Sequence, residues 1–355
     1  MFQTAFKYYK ARKPPPSFEN VLIVGDDSYP FQAIEANLTG GTWDAASFRP
    51  AQEWRIFEVA TRPGLFVIAN PFTPAGQRHW MAASLIDYPA HPNTTNLSAT
   101  LGDNRSLGNG WWQTLSTMSN SLDRRKFAST LRWSTLGYQY DWSNKVYAES
   151  RKQSFPPDLA QLVRTIASVL GFERFSPEAA IVNYYPTGTT LAGHTDHSED
   201  DLTAPLLSLS FGQPAVFLIG GTSRDERPDA ILLRSGDVLA MTGASRQCYH
   251  AVPRVFSDSE LPVGVGKCID RWKRTIYNTS QTDPMCENDW SLIDDYVQHC
   301  RINVNVRQVL KENQQALDGP ANAAPRSVLY SLENVDGSTV SNVGGARVLR
   351  AKLLV

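Results

Sequence analysis

Arg301-Ile302-Asn303-Val304-Asn305-Val306-Arg307 alternates polar and apolar residues without a break. In an extended chain successive side chains point to opposite faces, so Arg301, Asn303, Asn305 and Arg307 share one face of a strand and Ile302, Val304 and Val306 fill the other. Four polar side chains turned into a barrel interior would be costly unless a polar ligand met them. The alternative is a strand at a sheet edge with its polar face in water. Arginine presents a fork of donors that matches a carboxylate, so a dicarboxylate suits this face. Six residues at about 3.3 Å set the two arginine Cα atoms roughly 20 Å apart, and both side chains must lean inward to share one small ligand.

Upstream, from Ala179 to Val255, short β-rich runs are separated by Gly, Pro and Asp turns: Ile181–Tyr185, Leu206–Phe211, Ala215–Ile219, Ala230–Leu233, Asp237–Met241 and Cys248–Val252. That spacing predicts a barrel or jelly roll. An irregular insert over 256–286 and a helix near Asn288–Val297 lead to the final strand, Arg301–Val309.

Within this β-rich region His194-Thr195-Asp196 follows a strand and a Pro186-Thr187-Gly188 turn, and residues i and i+2 of an extended segment point the same way. His250 comes after the turn Ser235-Gly236-Asp237 and the strand Val238–Met241. Two histidines and a carboxylate are the facial triad of non-haem iron(II) oxygenases, which leaves open positions for other ligands. An H-x-D pair alone is weak, since lone histidines usually serve in a core or on a surface. The chain has only six, at 79, 91, 194, 197, 250 and 299, and the order H-x-D then H in a β-rich context adds weight.

The N-terminal half has a different texture. MFQTAFKYYKARK is basic, with Phe2, Ala5, Phe6 and Tyr9 on one helical face, and Pro14-Pro15-Pro16 ends it. An ordinary surface helix and a mitochondrial transit segment both fit this stretch. After the turn Arg62-Pro63-Gly64, Leu65–Ile68 reads as a strand. Thr73 and Pro74 form an N-cap and N1 pair that opens a helix to about Asp87. Residues 89–125 lack a sustained period and read as a long loop. A helix over Asp158–Leu170 carries its apolar residues at helical spacing, with Gly171 at C′. From Gln315 onward the apolar pattern thins into a loosely packed tail.

The 355 residues are 42% apolar and 19% charged, which suits a folded chain with a real core and argues against wholesale disorder. A net charge of −1 gives no broad basic surface, so any nucleic-acid contact must be a local patch. Residues 105–152 hold eight Lys or Arg against three acids, interleaved with Trp111, Trp112, Trp133, Tyr138, Tyr140, Trp142 and Tyr147. Such a stretch is either a basic aromatic surface or a solvated lid over a core. Cysteines 248, 268, 286 and 300 lack zinc-finger spacing, which predicts free thiols and no structural zinc. No apolar run approaches the roughly 20 residues of a membrane span, so no membrane partner is expected.

Asn183-x-Tyr185, His194-x-Asp196, His250 and Arg301-x-Asn303-x-x-x-Arg307, in that order, resemble the pattern of the AlkB family of Fe(II)/2-oxoglutarate-dependent dioxygenases. The strings LRWSTLGYQYDW, PLLSLSFGQPAVFLIGG, SGDVLAMTGASR, HAVPRV and RINVNVRQVL are most similar to its animal homologue-1 branch, and the likeness runs through most of residues 1–312. The resemblance implies a mainly β fold with flanking helices: a double-stranded β-helix (jelly roll) core with an N-terminal nucleotide-recognition lid. The implied organisation is a basic helix over 1–16, helices, long loop and lid over 17–178, the catalytic β-helix over 179–312 with the insert 256–286, and the tail 313–355.

It further implies Fe(II) on His194, Asp196 and His250, with O2 as co-substrate, and 2-oxoglutarate on Asn183, Tyr185, Arg301, Asn303 and Arg307. Arg301 would take the far carboxylate and Arg307 would lie nearer the metal. Trp133, Tyr138 and Tyr140 would stack on an extruded base, with Tyr184 also on the substrate side. The implied activity is oxidative demethylation of nucleobases by a monomer in the mitochondrion, nucleus or cytoplasm. N1-methyladenine in tRNA leads, with oxidation of 5-methylcytosine beside it. Demethylation of N6-methyladenine in DNA, histone or protein demethylation, and a nucleic-acid-binding scaffold without catalysis are the other readings. The intact triad and both arginines argue against the scaffold. Bacterial AlkB has an acid two places after the iron aspartate where Ser198 stands here, so its substrate choice does not transfer. The stretch between His250 and Arg301 is also longer than in the bacterial protein.

Overall fold

All six β-runs expected between Ala179 and Val255 form strands in the computed structural model, which describes residues 1–25, 29–37, 44–101, 110–262 and 287–318. The smaller sheet has the order β1 (Val21–Ile23), β11 (Asp229–Leu233), β10 (Ala215–Ile219), β13 (His250–Val255) and β8 (Leu191–His194). The larger runs β2 (Phe31–Ile34), β3 (Arg55–Val59), β4 (Leu65–Ala69), β12 (Val238–Met241), β9 (Leu206–Gly212), β14 (Cys300–Arg307), β7 (Ala179–Pro186), β6 (Trp133–Gly137) and β5 (Thr94–Thr95). All these pairings are antiparallel except the parallel β1–β11 pair. The result is the jelly-roll core of the sequence reading, and strands from the first 178 residues extend its larger sheet.

Alternation assigns each strand's two faces. Along β9, Leu207, Leu209 and Phe211 join the helix-covered core, while Ser208 and Ser210 lie beside β14's Asn305 and Asn303 on the opposite face. Along β14, Ile302, Val304 and Val306 are buried in that same helix-covered core. Each such side chain contributes about 1.5–3 kcal/mol on burial, which offsets the strand's polar opposite face. The helices over this core are α2 (Pro74–Ile86), α6 (Pro157–Val169) and α7 (Glu287–Val297). Thr73 caps α2 as expected, its hydroxyl accepting from Gly76 N at 2.9 Å. A second core, with Leu65, Val67, Leu206, Phe217, Ile219, Leu239 and Val252, joins the two sheets.

β14 is hydrogen-bonded to β7 on one side and β9 on the other, which excludes the edge-strand alternative. Helix α1 (Phe2–Lys10) buries Phe2, Phe6 and Tyr9 against Val216, Leu218, Leu232 and Ala251 on the outer face of the smaller sheet. It sits so close that a Cβ on Gly193 would come within 2.8 Å of the Phe2 ring. The stretch 89–125 is not one long loop: it contains α3 (Asn96–Leu101), α4 (Trp111–Thr117) and the start of α5 (Ser121–Ala128). These helices escape a period search because they are short, and α4 and α5 bury only Trp111, Leu115 and Ala128. Residues 263–286 of the insert and the tail from 319 lie outside the described residues. No described helix is long and apolar enough to cross a membrane.

Candidate active site

His194 ends β8 and His250 begins β13, and the two are cross-strand partners. Their rings lie 4.3 Å apart between centroids, and His250 Nε2 is 3.6 Å from Asp196 Oδ2. One ligand atom from each of His194, Asp196 and His250 lies within 4.8 Å of the other two, a spacing that could hold a metal ion. Each histidine turns Nδ1 to a backbone carbonyl two residues back, Ala192 O at 2.9 Å and Cys248 O at 3.1 Å. A carbonyl only accepts, so Nδ1 carries the proton and Nε2 keeps its lone pair for a metal.

Burial pushes the His250 imidazole down to about 4, helped by the neighbouring His194, so it stays neutral near pH 7. Burial alone would raise the Asp196 carboxyl, but the Arg307 guanidinium beside it holds it well below the usual carboxylate range. Two imidazole Nε2 atoms and one anionic carboxylate are a donor set that fits divalent iron.

The triad opens into a cavity of about 540 Å³, within the range of small-molecule sites. Arg301, Asn303, Asn305 and Arg307 all line it, as does Asn183 of β7. Arg301 donates to Ser210 Oγ at 2.9 Å, Asn303 to Ser208 Oγ at 2.8 Å and Asn305 to Asn303 Oδ1 at 2.9 Å. Arg307 donates to Asp196 Oδ2 at 3.0 Å and meets Glu199 Oε1 at 3.1 Å. The two arginines therefore mark opposite ends of one polar strip, with Arg307 at the triad. Tyr185 is 2% exposed, and its buried hydroxyl has no hydrogen-bond partner. The Arg301 guanidinium stands 5.8 Å from its ring centroid. A buried phenol lacking an acceptor beside an arginine fits a ligand carboxylate.

The four aromatic residues expected on the substrate side separate. Tyr140 lines the cavity, its hydroxyl 3.1 Å from Ser198 Oγ. Trp133 is the cross-strand neighbour of Asn183 but is only 5% exposed, packed against Trp142 at 5.1 Å between centroids. Tyr138 is fully buried and donates to Glu149 Oε2 at 2.6 Å. Tyr184 is also fully buried, donating to Ser84 O at 2.6 Å beneath the helices. The alternation that turns Asn183 and Tyr185 inward turns Tyr184 outward, so it cannot touch a substrate in the cavity. Trp142, Lys145 and Tyr147 stand in the wall with Tyr140 instead, and α1 adds Phe6 and Lys10. Much of the basic stretch is neutralised locally, by Arg125–Asp295, Lys126–Asp123, Arg151–Asp141 and Lys152–Glu149 pairs.

Sequence reading missed Glu199 and Arg246. Glu199 opens the acidic run Glu199-Asp200-Asp201, which looks like a solvated turn, yet it is 6% exposed. Arg246 lies in the loop before His250 and is 1% exposed. Of the cysteines, 248 and 300 are buried free thiols, and 268 and 286 lie outside the described residues.

The model of the 2OG-Fe(II) oxygenase superfamily matches residues 64–307. The nucleic acid dioxygenase ALKBH1 of Mus musculus is 36% identical over 327 residues, 90% of this chain and 81% of that protein. The tRNA demethylase abh1 of Schizosaccharomyces pombe is 35% identical, over 80% of this chain and 96% of that protein. The DNA N(6)-methyladenine demethylase ALKBH1A of Arabidopsis thaliana is 34% identical, over 72% and 77% respectively.

Proposed function

We propose that this chain, which belongs to the 2OG-Fe(II) oxygenase superfamily and to its ALKBH1 group, demethylates nucleobases, with N1-methyladenine in tRNA as the leading substrate. The observation that carries the reading is one cavity lined by a metal-competent triad, a strip of arginines and asparagines, and aromatic residues. Related proteins named as acting on tRNA and on DNA support a nucleic-acid substrate. Oxidation of 5-methylcytosine is a second reaction open to the same cavity. Such substrates would draw the protein to the nucleus or the mitochondrion.

Fe(II) and 2-oxoglutarate, when bound, supply the oxidation: O2 is consumed, 2-oxoglutarate leaves as succinate and CO2, and one oxygen atom enters a methyl C–H bond. The resulting N-hydroxymethyl group falls apart to formaldehyde and the demethylated base. The chain's own task is positioning in a site shielded from water. His194, Asp196 and His250 hold the iron. Arg301 takes the far carboxylate of 2-oxoglutarate, joined by the Tyr185 hydroxyl, while Arg307 serves the end near the metal. Asn303 is held by Ser208 and Leu209 O and holds Asn305 in turn, which keeps the strip in register. Asn183 faces the same ligand from β7. Tyr140, Trp142 and Tyr147 offer ring faces and edges to a flipped base, with Trp133 supporting Trp142 from behind.

The test is incubation with oligonucleotides carrying single methylated bases, followed by mass spectrometry of the nucleosides. Conversion of N1-methyladenine in a tRNA-like loop, with formaldehyde and succinate in equal amounts, is expected. Conversion of N6-methyladenine in DNA alone would move the assignment to the reading that the plant relative's name suggests.

A further inference from the structure

Arg246 lies at the end of the short turn Gly243–Ser245, four residues before His250, and every arm of its guanidinium is engaged. Nε donates to Ala204 O at 3.1 Å, Nη1 to Asp196 O at 3.0 Å and Nη2 to Glu199 Oε2 at 3.1 Å. One planar fork thus grips three points of the connection between β8 and β9. That connection has no strand ladder of its own from Thr195 to Pro205; Asp200 N and Asp201 N bond Val309 O, and side chains hold carbonyls on either side of them. The other oxygen of Glu199 meets Arg307 Nε at 3.1 Å, and Arg307 Nη2 reaches Asp196 Oδ2 at 3.0 Å. The contacts close a ring: Arg246, Glu199, Arg307, Asp196 and back to Arg246 through the Asp196 carbonyl.

We propose that Arg246 is a positioning residue for the metal site, which with Glu199 holds the Asp196 carboxylate in register with the two histidines. The proposal rests on the reading of Asp196 as an iron ligand and adds what sets its geometry. Two guanidiniums and two carboxylates balance in charge, and one of those carboxylates is the triad's own anion. Lysine could keep the charge of Arg246 but, as a single point donor, could not span three acceptors. Hydrogen-bond partners behind a metal ligand are commonly worth 10- to 100-fold in affinity.

Two variants keep the local charge and lose the fork: Arg246→Lys, and the double variant Arg246→Met with Glu199→Gln. The double variant avoids stranding a buried carboxylate, whose loss of partner would itself unfold the site. Mn2+ is titrated by calorimetry into the metal-free full chain, with the folded fraction followed by circular dichroism and the bound ion by paramagnetic resonance. His194→Ala serves as the ligand control. Both charge-balanced variants are expected to bind Mn2+ roughly 10- to 100-fold more weakly while folded, with an altered resonance of the bound ion. Parental Mn2+ affinity in either folded variant overturns the positioning role. So does a loss that merely tracks the unfolded fraction. Parental affinity in His194→Ala would instead overturn the ligand assignment, which separates the two failures.

Discussion

The two ends of the cavity are built differently. At the floor, Arg301, Asn303, Arg307 and Asp196 are each tied to a named partner at 2.8–3.0 Å, on strands bonded on both sides or beside one. At the mouth, Tyr140, Trp142 and Tyr147 touch mainly one another, ring to ring at 4.9–5.1 Å, on an irregular stretch joined by isolated bridges. Hydrogen bonds fix direction, while ring contacts tolerate sliding. The floor therefore suits one invariable small ligand and the mouth suits variable ones. On the proposed function, chemistry and substrate choice would be housed in separate parts of the same cavity.

The sharpest way to break this contrast is at the triad. His194→Ala should take turnover to background on every substrate, with thermal stability nearly unchanged, because the residue is only partly buried at the end of an edge strand. Asp196→Ala should also abolish turnover and, in addition, weaken the fold by about 1–3 kcal/mol, since Arg307 loses a buried partner. Residual substrate-dependent turnover in either protein, with metal content measured, would unseat the triad. The mouth predicts a difference of the next size: a methylated base inside a duplex must be flipped at a cost of a few kcal/mol, so looped or bulged substrates should outrun matched duplexes roughly thirtyfold. Equal rates on the two would show that the mouth imposes no such selection.

Arg301→Ala then sharpens the floor. Losing a charged hydrogen-bond pair there is worth about 1.5–3 kcal/mol, roughly a ten- to hundredfold rise in the 2-oxoglutarate needed. Calorimetric binding at the parental level would remove the strand from co-substrate binding. Trp142→Ala probes the mouth with a smaller effect, about 1–2 kcal/mol of lost stacking. It should slow nucleic-acid turnover roughly tenfold while leaving uncoupled 2-oxoglutarate decay near normal, and Trp133→Ala should act in the same direction but less.

The remaining effect falls on stability rather than turnover. His250 in the folded chain titrates at about 4, below its ordinary value near 6.5, chiefly because it is buried. As pH falls from about 6.5 towards 4, the unfolded chain takes up the proton first, so metal-free protein should lose on the order of 2 kcal/mol. Thermal melts in chelator at pH 7.5 and 5 test this, and a His250→Ala variant should show a shallower slope.

How legible each end was in the amino-acid order follows from the same contrast. The floor lies on strands, where a period of two declares which side chains share a face, so Arg301, Asn303, Asn305 and Arg307 could be grouped by position, while Asn183 and Tyr185 entered through the family resemblance. The mouth lies on an irregular stretch, where no period operates. There an aromatic-rich run contained both buried props, such as Tyr138, and half-buried wall residues, such as Trp142, with nothing in their spacing to separate them. Tyr184 was legible in principle: the alternation of its own strand already turned it away. Glu199 and Arg246 were hidden for another reason. Charged residues in loops are ordinarily solvated, and only the partners supplied from distant segments make their burial tolerable.

The strand order carries a consequence for how the chain reaches this form. β7 and β9 are near neighbours in the chain, yet the strand between them, β14, begins at Cys300. During synthesis the larger sheet must wait with a gap in its centre, two strands showing unpaired backbone to the surroundings until about 90 more residues emerge. Open edges of that kind invite pairing with foreign strands, and long-range pairing is slow to form. A nascent or truncated chain that stops short of β14 should therefore be aggregation-prone and need a chaperone's cover. The last of the described strands is also the one with both arginines of the cavity, so closure of the sheet and completion of the polar strip come in a single event.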